Sequence, residues 1–478
     1  MHKKRIISVL NSFDRADGKR FEKFLESSYF NNRPGLKKKY LNARRAKNID
    51  KSGFLTGKEK SYITSLIINY LKQRSIEKDE LESELKLLRE LFLRKQSRIF
   101  DTTSKKIMSG FNSKKRVEPQ LLLKLYDYYT LLYNQHLTSS SKLNQAKVRK
   151  TLNYMLKAGI SLTVYQMITV VIDYTSIIFY KNIPDDEFVN DYYDLMIRPL
   201  NIDYFYNKIK SDYEYAFLLE LYSSMIKSHI NIKDESEYER YKNLLLKYSS
   251  RLEKSEVTVH LQSLLDYCTR KIIRMQNENY FLSERFEIAM LLAENGFFLK
   301  DIYPYIPTDF FATTVILGLQ ANKIEETRNF IVLYSSKLSK DDALPMREYG
   351  FAHYYFKTGD YNLSLEHILN FKTKNDNFRH DSKILEIVCY YKIKDFDKSE
   401  NALKSYSEFL SVEKFLVKSR KSRIKIFLGS FKKLIKYASM ADTRKYKNEI
   451  SFILHNLQKS EDFNYRDWLI GEFRELLY

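Results

Sequence analysis

Apolar residues in this chain recur at steps of three and four, a spacing that predicts amphipathic helices. Phe21, Phe24 and Leu25 form a short stripe of this kind. Thr56 and Glu59 make the three-residue spacing of a capping box, so a helix is expected to open there and carry Tyr62, Ile63, Leu66, Ile67, Tyr70 and Leu71. A second helix, from about Asp79, carries Leu81, Leu85, Leu88, Leu91 and Phe92, and the two are expected to pair as an antiparallel hairpin. Further helices are predicted over 119–137, 142–157, 160–181, 186–197, 212–229, 235–253, 256–278 and 284–296. The stretch 160–181 is apolar, yet Gln166, Asp173 and several hydroxyls make it a buried helix and not a membrane span.

Beyond Pro304 and Pro307 the pattern repeats. Ala352-His353-Tyr354-Tyr355 through Gly359-Asp360-Tyr361 and on to Ser364 corresponds to Ile387-Val388-Cys389-Tyr390 through Lys394-Asp395-Phe396 and Ser399, with 35 residues from Asp360 to Asp395. Lys323-Ile324, with Thr327, occupies the same place 37 residues earlier, and Gly429-Ser430-Phe431 the same place 35 residues later. The period resembles the ~34-residue tetratricopeptide repeat. Small residues stand where paired helices cross (Ala352, Ser364, Ser399), and large ones flank the turn (Tyr355, Tyr361, Tyr390, Phe396). Ile387 and Lys394 depart from the pattern, where a small residue and a glycine are usual.

The resemblance implies an all-α, right-handed stack of αα-hairpins, a tetratricopeptide-like solenoid that is irregular toward the N-terminus. It also implies a groove, lined by the first helix of each repeat, that binds a protein partner. By register the groove-facing positions are His353, Phe356 and Lys357, then Val388, Tyr391 and Lys392, then Arg423. Such a basic and aromatic groove suits an acidic peptide or a C-terminal carboxylate. Separately, Arg20-Phe21-Glu22-Lys23-Phe24-Leu25-Glu26-Ser27-Ser28-Tyr29-Phe30-Asn31 resembles the opening of an uncharacterised family of helical proteins from Bacteroidetes-type bacteria, with Ser28 where that family has proline.

Length and composition support this picture. At 478 residues the chain has room for roughly three domains or one extended array. Its 12 glycines and 7 prolines leave little material for strands and tight turns. The expected division is 1–157, a basic helical domain; 158–300, a middle hairpin region; and 301–478, the repeat region. Cys268 and Cys389 offer no disulfide framework, which points to a reducing, cytoplasmic setting. Met1 to Leu10 is basic and then apolar but lacks the core and cleavage site of a signal peptide, and is read as an amphipathic helix.

The net charge of +21 is uneven: residues 1–150 hold 35 Lys and Arg against 15 Asp and Glu, and 414–447 hold 12 against 1. In the second zone Lys414, Lys418, Lys421, Lys425, Lys432 and Lys436 recur on one side of an amphipathic helical hairpin, opposite Ile424, Phe427, Leu428 and Phe431. These lysines are candidates for an anionic ligand, and nucleic acid is the alternative partner. Self-association of the stack's ends is a third option.

Catalytic signatures are missing from the chain. Gly53-Phe54-Leu55-Thr56-Gly57-Lys58-Glu59 lacks the spacing, the hydroxyl and the preceding strand of a phosphate loop. No cysteine pair has metal spacing, and His353 and His367 lack a third ligand. The expectation is therefore a non-enzymatic scaffold or adaptor with no cofactor and no metal.

Overall fold

The computed structural model describes residues 13–45, 54–138, 145–179, 186–273, 278–296, 305–373, 375–412, 418–440, 444–460 and 465–477, and the regular structure of these residues is all helical. The Met1 to Leu10 segment and Lys414 lie outside the described residues. By internal contacts the chain divides into two compact units, Met1–Val170 and Val171–Tyr478.

The first unit contains α1 (Arg15–Glu26), α2 (Leu36–Arg45), α3 (Gly57–Glu77), α4 (Glu80–Leu93), α5 (Ser97–Ser113), α6 (Gln120–Thr138) and most of α7 (Gln145–Phe179). The α1 stripe is buried as its spacing requires, Phe21 and Leu25 sharing a core with Tyr40, Ile63 and Tyr70. The capping box forms: the Glu59 amide donates to Thr56 Oγ1 at 3.2 Å and the Thr56 amide to Glu59 Oε2 at 2.8 Å. Helices α3 and α4 pair, and α5 and α6 both pack on α4. The two helices expected over 142–157 and 160–181 are one, because Gly159 has nothing within 4 Å of its Cβ position and a lone glycine costs a helix only about 1 kcal/mol. The expected boundary at residue 157 therefore falls inside a continuous helix.

The second unit continues with α8 (Asp186–Tyr192), α9 (Ile202–Ile209), α10 (Ala216–Ile230), α11 (Glu235–Tyr248), α12 (Lys254–Ile273), α13 (Glu278–Asn295), α14 (Thr308–Gln320), α15 (Ile324–Tyr334), α16 (Ala343–Thr358), α17 (Tyr361–Asn370), α18 (Asp376–Lys392), α19 (Phe396–Val412), α20 (Lys418–Ala438), α21 (Lys447–Lys459) and α22 (Arg466–Glu475). Successive helices pair as α10/α11, α12/α13, α14/α15, α16/α17 and α18/α19. The boundary expected near Pro304 does not interrupt this unit, since Ala293 of α13 shares a core with Phe311 and Phe330.

The repeat register is visible in the turns. Asn322, Gly359 and Lys394 each adopt positive φ (59°, 90° and 62°). The next amide in each case reaches back five residues: Lys323 to Gly318, Asp360 to Tyr355 and Asp395 to Tyr390, at 2.8, 2.9 and 3.0 Å. This is one helix-ending device used at all three turns, and it also closes α4, where Lys95 has φ 57° and the Gln96 amide reaches back to Leu91 at 2.9 Å. The small residue after each turn is fully buried: Thr327, Ser364 and Ser399. At the first crossing Gly318 is required, because a Cβ there would meet Thr327 Oγ1 at 2.1 Å.

The proposed fourth copy fails. Gly429 to Phe431 lies inside α20, so Phe431 follows no turn. The apolar period through Ile424, Phe427, Leu428, Phe431, Leu434 and Ile435 is unbroken and all six are buried, so nothing stops the helix. The cationic segment read as a hairpin is correspondingly a single helix from Lys418 to Ala438.

Candidate protein-binding groove

In the second unit α14, α16 and α18, the leading helices of successive pairs, together with the single helix α20 line two adjoining cavities of ≈420 Å³ and ≈240 Å³ that share Asp381 and Arg420. The larger has Thr313, Ile316 and Gln320 on one side and Asn377 and Phe378 on the other. The smaller has Ile384, Ile424 and Phe427 as an apolar floor, with Arg420 and Arg423 above it. Their positions on α20 explain this: the two arginines are three residues apart, one turn, and lie off the lysine side of the same helix.

The polar groups of the groove are anchored from beneath. Tyr349 Oη donates to Asp381 Oδ2, and His353 Nε2 stands 3.3 Å from the same oxygen. Burial, with the Asp381 carboxylate beside it, pushes the Tyr349 phenol well above its usual range, so it stays a donor. Arg420 Nη1 donates to Asn377 Oδ1, and Nη2 to the Asn377 carbonyl at 3.4 Å. A fork held this way presents its remaining N–H groups in fixed directions, which suits carboxylate recognition.

Of the positions expected to face the groove, Arg423 does so, and it is exposed. Lys357 is exposed near the end of α16. Val388 is fully buried and His353 and Tyr391 are nearly so, which corrects their expected role as open contact positions; they pack the core beneath. The neighbourhood of Tyr391, Lys392 and Phe356 is already filled by the chain itself. Trp468 of α22 stands edge-on to Tyr391 at 5.8 Å and stacks on Phe431 at 5.8 Å. Lys392 pairs with Glu472, and Tyr465 meets Phe356 at 6.1 Å. Sequence reasoning missed Arg420, whose one signal was its one-turn spacing from Arg423.

The lysines form a separate surface. Lys425, Lys432 and Lys436 are exposed, Lys421 is half-buried, and Lys418 opens the helix. No ion pair among the described residues involves Lys425, Lys432 or Lys436. Lys436 Nζ instead lies over the Tyr437 and Tyr446 rings at 5.5 and 5.6 Å.

One arrangement elsewhere has the composition of a nucleophile and its base. His229 Nε2 is 2.8 Å from Ser263 Oγ, with Asp266 in the same ≈410 Å³ cavity. Arg270 Nη1, however, lies 3.2 Å from His229 Nδ1. A guanidinium only donates, so Nδ1 is the acceptor and Nε2–H points at the serine. Burial, with Arg270 adding to it, holds the imidazole down to about 3. This histidine has no lone pair to offer Ser263, and the pair is a structural hydrogen bond. Both thiols are buried, which pushes Cys268 and Cys389 up to about 12 and away from nucleophilic character. Among the described residues no group of three His, Cys, Asp or Glu is placed to hold a metal ion. No family model, curated protein or solved structure matches this chain.

Proposed function

We propose that the protein is a non-enzymatic helical-repeat scaffold or adaptor, a right-handed stack of αα-hairpins of the tetratricopeptide-like kind, that binds a protein partner through the groove of its C-terminal pairs. The observation that carries this reading is the groove itself: three leading helices and α20 contribute to two adjoining cavities with an apolar floor and a buttressed arginine fork. The favoured partner is an extended acidic segment or a C-terminal carboxylate, its anionic group at Arg420 and Arg423 and its apolar side chains over Ile384, Ile424 and Phe427. The test is photo-crosslinking from position 423 in the native cell, followed by mass spectrometry. A specific protein adduct that disappears in Arg420→Glu supports the proposal; recovery of no protein, or adducts indifferent to that substitution, defeats it.

The alternative, association with nucleic acid, draws support from the Lys425, Lys432 and Lys436 face, whose cations have no ion-pair partners among the described residues. A mobility-shift titration at two salt concentrations decides it. Binding at low salt that weakens when these lysines are neutralised is the expected signature, and no shift at low salt removes the reading.

A further inference from the structure

The two cavities of the groove differ in charge. Asp381 and Arg420 stand between them and line both. To these the larger cavity adds the Asp309 carboxylate of α14, and the smaller adds the Arg423 guanidinium of α20, with His380 beneath it. One end of the groove therefore has two carboxylates to a single guanidinium, and the other end has the reverse.

Asp309 belongs to a row along α14. Asp309, Thr313, Ile316 and Gln320, at steps of four, three and four, share one side of that helix, and all four line the larger cavity. The row offers a carboxylate, a hydroxyl and a carboxamide oxygen as acceptors, with half-buried Ile316 among them. Asp309 is exposed, and no hydrogen bond or ion pair among the described residues engages it. A lysine or arginine side chain from outside fits these groups, its methylene stem on Ile316 and its charged head at Asp309. Arg420 does not take that place, because its Nη1 and Nη2 are both turned to Asn377. Nucleic acid and anionic lipid would satisfy the arginine end but bring no cation to Asp309. A peptide segment brings both charges.

We propose, on the premise that the groove binds a protein segment, that this segment is dipolar. Its anionic group lies at Arg420 and Arg423, and a lysine or arginine at a fixed interval from that group enters the larger cavity against Asp309. The segment thus crosses the helices in one direction, anionic end on α20 and cationic end on α14.

The test is selection against the full chain from a displayed library of random peptides with free C-termini. Peptides of about ten residues suffice, since at roughly 3.3 Å per residue they cross four neighbouring helices. The parent protein should enrich sequences with an anionic group, apolar neighbours and Lys or Arg at one fixed interval. With Asp309→Lys the preference at that interval should invert to Asp or Glu, the anionic and apolar preferences being kept. With Asp309→Asn, which spares the first turn of α14 a positive charge, the preference should fade without inverting. Far-ultraviolet dichroism of both variants should match the parent. In a selected peptide, Glu in place of the Lys or Arg should weaken binding to the parent about fivefold at about 0.05 M salt, and less at about 0.5 M. Enrichment of anionic, apolar peptides without a positional Lys or Arg, or a cationic preference that survives both Asp309 substitutions, overturns the dipolar segment and leaves the groove reading standing. No enrichment, or enriched peptides indifferent to Arg420→Glu, overturns both.

Discussion

Ser364 and Ser399, 35 positions apart, make the same hydrogen bond: each Oγ donates to the carbonyl twelve residues upstream, Ala352 at 2.7 Å and Ile387 at 3.0 Å. The bond ties the second helix of each pair to the first at their closest crossing, where both serines are fully buried. Alanine at either position should lower stability by about 1 kcal/mol, the net worth of one such bond. Valine should cost more, because its branch must displace the facing backbone. Chemical denaturation of the two alanine variants checks this, and the loss is expected to be slightly larger at Ser364, whose Oγ also accepts from the Cys389 thiol at 3.3 Å.

Gly359 and Lys394 end their helices in the same left-handed conformation, at φ 90° and 62°. Only the glycine adopts it without steric cost. Lys394→Gly is therefore expected to raise stability by about 0.5–1 kcal/mol, and Gly359→Ala to lower it by a similar amount. Opposite shifts in denaturation midpoint at unchanged slope would bear this out.

The single tryptophan reports on the C-terminal helix. Trp468 is half-buried between Tyr391 and Phe431, so Trp468→Ala should cost roughly 2 kcal/mol, below the usual core value because part of the ring is exposed. In the parent protein, tryptophan emission and far-ultraviolet dichroism should change together on heating. An emission change that precedes helix loss would show α22 leaving on its own.

Asp266 makes stability depend on pH. Burial raises its carboxyl from an ordinary 3.8 to about 7, against the lowering pull of Arg285 and Arg270. Between those values the folded state holds a proton that the unfolded chain has released. Stability contributed by this group therefore falls as pH rises from about 4 to about 7 and stays low above. Asp266→Asn should be more stable than the parent at pH 8, by no more than roughly 4 kcal/mol, and the gain should vanish near pH 4. Denaturant titrations at the two pH values read the difference directly.

The repeat was legible at Asp360 and Asp395, and even at Lys323, because three local signals coincide there: a turn residue, a following large apolar residue and a small residue one helical turn later. Phe431 misled because a long amphipathic helix places a phenylalanine at almost any chosen interval; without a turn residue in left-handed conformation, equal spacing carries no register. Gly159 and Gly429 misled in the opposite sense, since an isolated glycine weakens a helix without ending it. The filling of the Tyr391 and Lys392 neighbourhood was beyond sequence reading. Lys392 meets Glu472 across 80 residues, and nothing local to either announces the other. Arg420 became visible only once α20 proved continuous and its arginines fell on a different side from its lysines.

The placement of α22 has a consequence for synthesis. Helices α18 and α20 emerge before it, with the rings of Tyr391 and Phe431 directed to where Trp468 will sit. Until Arg466–Glu475 is made, a growing chain shows those rings and the Lys392 ammonium to its surroundings. A ribosome paused between α20 and α22 would thus display a sticky, unfinished end. Addition of α22 is the step at which Trp468 covers those two rings.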